Sequence, residues 1–137
     1  MAAAAVILAS CAPGALEGLP SATISIDDHS LRVAVADTPA ARAQGLMGIT
    51  DLGGLDGMLF VFDSDTESGF WMKDTPMPLD IAFFDADGRL VDRFSMQPCT
   101  ADSCRHYHPG GSYRYAVEAP LGELSFVGGQ ARLTLGS

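Results

Sequence analysis

A mainly β domain is predicted: an antiparallel β-sandwich, jelly-roll-like and partly barrel-like, with one short helix. Three observations carry this. Fifteen glycines and eight prolines punctuate a chain of 137 residues, which suits many turns between short elements. Several short runs alternate apolar and polar side chains with period two. Only one stretch carries a helix start, and parallel βαβ architectures need repeated helices. No internal repeat is present. With 47% hydrophobic residues the chain can close one core, and its length fits one domain.

Residues 1–10 and Cys11 stand apart. MAAAAVILASC is a short apolar run that ends in an aliphatic residue, two small residues and a cysteine. It resembles a bacterial lipoprotein signal, although no Lys or Arg precedes the run. The run is too short for a bilayer-spanning helix. Lipidation of Cys11 is therefore expected, with the chain exported to the periplasmic side of a cell envelope and anchored to the membrane. Residues 11–21 (CAPGALEGLPS) read as a flexible tether, and residues 22–137 as the folded domain.

In the domain, ATISI and LRVAVAD alternate around Asp27-Asp28-His29 and predict a hairpin. Leu31, Val33 and Val35 share one face of the second strand. Thr38-Pro39 starts a helix, because Thr caps and Pro suits the first turn. That helix is expected to run through AARAQGLMG to about Gly48. GMLFVFD is apolar on both faces and reads as a doubly buried strand. LDIAFFD follows, with Leu79, Ile81 and Phe83 opposed to Asp80, Ala82 and Phe84. Asp87-Gly88 turns the chain into RLVDRFSMQP, where Leu90, Phe94 and Met96 are expected to share a face. A loop from Pro98 to Ser112 precedes YRYAVEAP and ARLTL.

These motifs form an ordered set: Arg42-x-x-Gly45-Leu46-Met47, Gly57-Met58-Leu59-Phe60-x-Phe62, and Phe70-Trp71-Met72-Lys73-x-Thr75-x-x-Pro78-Leu79-Asp80. Pro98, Val117-Glu118 and Gly122 follow. The set resembles the bacterial and archaeal domain of unknown function 192 family, over roughly residues 22–135. Asp74 stands where the family pattern leads one to expect asparagine. The resemblance implies a small β-sandwich of jelly-roll type, often exported or lipid-anchored. It implies no reaction, because the family has no agreed activity.

Charge narrows the partners. The formal net charge is −9, and so acidic a surface repels phosphate backbones, so no nucleic acid is expected. Three cysteines are an odd number for an exported chain. With Cys11 lipidated, Cys99 and Cys104 remain to form a disulfide in an oxidising compartment. Closing so short a loop stabilises by about 2 kcal/mol in the chain-entropy model. The alternative is a copper or zinc site on Cys99, Cys104, His106 and His108. A disulfide would remove both thiols from it, and the internal methionines sit mainly in apolar runs where Met is a filler. No metal or other cofactor is favoured.

The candidate ligand site is built on Trp71, Lys73 and Asp80, with Arg42 and Glu118 as a second charged pair. An aromatic platform beside a few fixed polar groups is what a small polar ligand or glycan requires. The bland readings are a core tryptophan, a Lys73–Asp80 ion pair pinning the turn, and an Arg42–Glu118 fork holding helix to sheet. Elbow, phosphate-loop and His-Glu-x-x-His motifs are absent from the sequence. Asp80 and Glu118 as a carboxylate pair would suit an envelope hydrolase. A non-catalytic binding module is the expected function.

Overall fold

The computed structural model describes residues 16–136. The signal-like segment and Cys11 lie outside them. The chain forms β1 (Ser21–Ile26), β2 (His29–Ala36), α1 (Pro39–Gln44), β3 (Gly57–Thr66), β4 (Phe70–Trp71), β5 (Leu79–Phe84), β6 (Leu90–Met96), β7 (His106–Tyr107), β8 (Tyr113–Pro120) and β9 (Leu133–Leu135). Seven strands make one curled, half-barrel sheet in the order β6-β5-β8-β3-β2-β1-β9, and β4 pairs with β7 as a small ribbon. The mainly β class, the barrel-like curl and the single short helix match expectation. Two finer features differ. One curled sheet replaces two stacked ones, and β2 pairs with β3 in parallel. The connection between them, which carries α1, supplies the crossover that a parallel pair needs. No helix among the described residues is long and apolar enough to cross a membrane.

Both faces of the sheet are covered, which is why β3 and β5 are apolar on both sides. One face carries Met58, Phe60, Leu79, Ile81, Phe83 and Ala116, under Leu46, Ile49 and Met72. The other carries Ile24, Val33, Leu59, Ala82, Phe84 and Val117, under Leu124, Val127 and Ala131 from the segment after β8. Leu16 and Leu19, at the end of the expected tether, already pack against the first cluster.

Local chemistry sets the element ends. The β1–β2 hairpin turns at Asp27, whose φ is 53°, a left-handed conformation that Asp tolerates better than most residues. Thr38 Oγ1 accepts from the Ala41 amide at 3.1 Å and caps α1. The helix ends at Gln44, short of the expected Gly48, because Gly45 leaves helical space with φ 48°. The face expected for β6 also needs correction. A register shift puts Leu90 opposite Phe84 and Asp92 opposite Phe83. The extra residue, Val91, is a bulge that sends Leu90 to the face opposite Phe94 and Met96.

Candidate functional site

A cavity of about 300 Å³ opens between α1, the helix-covered face of the sheet and the β4–β7 ribbon. Each wall follows from a local feature. The α1 segment from Arg42 to Met47 forms one side. Arg42 is held there by donating from Nη1 to the Val61 carbonyl at 2.8 Å, with its guanidinium 4.9 Å from the centre of the Phe62 ring. Phe60 and Phe62 of β3 supply apolar surface, and Phe70 meets Phe60 edge-on with ring centres 4.9 Å apart.

The opposite wall is the ribbon, in which Trp71 pairs with His106 and their rings meet edge-on at 5.4 Å. Two fixtures hold it. Tyr113, whose ring is buried and whose phenol is pushed upward by that burial, donates to the Ser68 carbonyl at 2.6 Å. On the other flank, the Asp74 amide donates to the Cys99 carbonyl and the Cys99 amide to the Met72 carbonyl. Cys99 and Cys104 form a disulfide, with Cα atoms 6.0 Å apart. Gly69 lies so close to the His108 ring that a Cβ there would stand 2.7 Å from it.

Glu118 forms part of the lining from inside. On β8 it lies opposite Met58 of β3 and Ile81 of β5, in the middle of the sheet. Only 4% of it is exposed; among the described residues its carboxylate has no hydrogen bond or ion pair, and since no wholly enclosed side-chain oxygen there lacks a partner, it opens onto the cavity. Burial pushes its pKa from 4.5 up to about 8, since a low-polarity surround disfavours the charged form. At neutral pH it is therefore mostly a protonated acid, able both to donate and to accept.

The five expected ligand residues separate into two groups. Trp71, Arg42 and Glu118 line this cavity together. Trp71 is 43% exposed, a wall rather than a core filler. Arg42 and Glu118 share the cavity without forming the expected fork. Lys73 and Asp80 do not reach it and do not pair with each other. Lys73 Nζ donates to the Ala101 carbonyl at 2.9 Å, across the disulfide loop. Asp80 is buried on the far face of the sheet, opposite Ala119. It accepts from Ser95 Oγ at 2.8 Å and from the Gly122 and Leu124 amides at 2.9 and 3.1 Å, so it fastens the covering segment. Asp80 and Glu118, the carboxylates considered for glycan hydrolysis, thus lie on opposite faces and share no site.

The disulfide takes Cys99 and Cys104 out of the metal alternative, leaving His106 and His108 with ring centres 6.5 Å apart. Among the described residues no three His, Cys, Asp or Glu side chains are grouped to hold a metal. The aromatic walls Phe62 and Phe70, and His106 as a lining residue, were not foreseen as parts of the pocket. Their spacing reads as ordinary strand alternation, and only the ribbon's fold over the sheet brings them together.

The model of the domain of unknown function 192 family, described as uncharacterized ACR, matches residues 22–130. The chain belongs to this family. Two solved structures resemble this family member. One, from Sinorhizobium meliloti 1021 and described as a candidate transcription regulator, is 25% identical with a TM-score of 0.74, covering 85% of this chain and 95% of its own. The other, a protein of unknown function from Novosphingobium aromaticivorans DSM 12444, is also 25% identical with a TM-score of 0.74, covering 98% and 100%. No curated protein matches this chain. Asp74, the departure from the family pattern, sits at φ 53°. Asparagine is among the residues that best tolerate that left-handed conformation, and aspartate shares the property.

Proposed function

We propose that this protein is a non-catalytic binding module of the cell envelope, exported and tethered through a lipid on Cys11, that holds a small polar ligand or glycan in the Glu118 cavity. One observation carries the ligand reading: a carboxyl only 4% exposed, with no hydrogen bond among the described residues, lines an aromatic-walled cavity. No wholly enclosed side-chain oxygen among the described residues lacks a partner, so this carboxyl opens onto the cavity, where a bound molecule can reach it. A ligand that hydrogen-bonds this carboxyl would exchange its cavity-facing contacts for fixed ones. Trp71 at the rim adds a flat apolar face suited to stacking on a sugar ring. The wall around it is fixed by the disulfide loop and the Tyr113 bond, so little ordering is left for binding. The net charge of −9 gives no support to a nucleic-acid partner, whatever the described role of the Sinorhizobium relative.

Thermal unfolding with a panel of soluble saccharides and small polar metabolites tests the reading. A ligand that binds only the folded state at a hundredfold excess over its Kd stabilises by about 2.7 kcal/mol. The stabilisation should vanish in Trp71→Ala, whose own melting temperature should stay near that of the wild type because Trp71, 43% exposed, lies outside the core. Unchanged stabilisation in W71A would remove Trp71 from the site. The anchor has a separate test: mass spectrometry of the membrane fraction should find Cys11 acylated, and an unmodified chain in the soluble fraction would contradict it.

A further inference from the structure

The cavity carries opposite charge chemistry on two of its walls. Glu118 contributes a buried carboxyl from β8, and Arg42 contributes a guanidinium from α1. They line one space without bonding to each other. Arg42 spends Nη1 on the Val61 carbonyl; among the described residues its other N–H groups have no hydrogen-bond partner, and guanidinium offers five donors in all. Phe62 and Trp71 supply ring surface near them, and aromatic faces attract cations. The other titratable group lining the cavity is His106, on β7.

We propose that the ligand is a small zwitterion of the amino-acid class, its ammonium bound by Glu118 and its carboxylate by Arg42. This deepens the binding reading above and rests on it. An ammonium gives this carboxyl, which has no hydrogen bond among the described residues, a charge-assisted one, roughly twice as strong as a neutral one. The aromatic rings shield that pair from water. The ligand's carboxylate meets the donors of Arg42 that the described residues leave without a partner. Free Glu118 is largely protonated at neutral pH because burial raises its pKa to about 8. Docking an ammonium favours the carboxylate, so the carboxyl proton passes to the solvent as the complex forms.

The test uses the full chain in mild detergent, with free amino acids of both chiralities, β-alanine and 4-aminobutyrate, which differ in the separation of their charges. N-acetyl derivatives lack the ammonium, methyl esters lack the carboxylate, and neutral saccharides lack both. We expect thermal stabilisation by at least one zwitterion, lost with its N-acetyl form and weakened at least tenfold in affinity with its ester. Calorimetry at pH 7 in buffers of different ionisation enthalpy should show about one proton released per ligand, the expectation for a group titrating across its shifted range. Glu118→Gln should abolish that release and weaken binding at least tenfold. Should E118Q not fold, the N-acetyl comparison and the proton release in the native chain decide. Binding of saccharides but not zwitterions overturns this inference and leaves the binding module standing. Binding of neither class overturns both. Zwitterion binding that releases no proton and survives E118Q overturns the assignment of Glu118.

Discussion

Glu118 and Asp80 are both buried carboxyl residues in the sheet, and their surroundings give them opposite characters. Asp80 accepts three hydrogen bonds, two of them from backbone amides. Asp80→Ala would leave the buried Leu124 amide without its partner, so we expect a loss on the order of 2 kcal/mol in urea unfolding. A loss below about 0.5 kcal/mol would show that the covering segment does not depend on it. Among the described residues Glu118 has no such partners, and its folded pKa, about 8, stands above its ordinary 4.5. The fold therefore favours the protonated form. Its contribution is fully present below pH 4.5 and is lost as pH rises toward 8. Wild-type stability should decline across that window by more than that of E118Q, and parallel pH profiles would contradict the buried acid. The sequence placed Asp80 off the apolar row of β5, correctly, yet could not show its amide partners more than forty positions away. Glu118 could be read only as a charged partner for Arg42 or as a carboxylate of a possible hydrolase, because strand alternation does not reveal which face the helix and the ribbon will cover.

The β4–β7 ribbon is the element on which the site depends. It has two residues on each strand, too little to stand alone. The Cys99–Cys104 loop ties its flank to Met72 and Asp74. Replacing both cysteines by serine should lower stability by about 2 kcal/mol on the chain-entropy model. It should also weaken ligand binding more than a comparable loss elsewhere, since Trp71 and His106 ride on the ribbon. Hydrogen exchange comparing the Trp71 and Tyr107 amides with those of β3 checks this. Equal protection in wild type and the double serine variant would detach the disulfide from the wall. The disulfide was legible from cysteine number and spacing. The ribbon was not, because two-residue strands have no periodicity to read. The bulge at Val91 escaped for a related reason: an inserted residue reverses the alternation on one side of it.

Over the whole molecule, alternation, turn residues and the Thr38 cap were enough to predict a mainly β chain with one helix. They were insufficient for the parallel β2–β3 ladder, because a single crossover leaves no repeated pattern. That ladder matters to function, since its crossover is the segment that carries α1 and brings Arg42 and Gly45–Met47 over the sheet. The site is thus assembled from elements far apart in sequence, and three of its five anticipated residues meet only through this topology. The most direct test of the cavity as the binding site is a two-dimensional amide NMR titration of the chain with the stabilising compound. The expected shifts gather on Arg42, Gly45, Trp71, His106 and Glu118, with the far-face segment around Leu124 and Val127 unmoved. Shifts confined to the far face, or none at saturating compound, would contradict it.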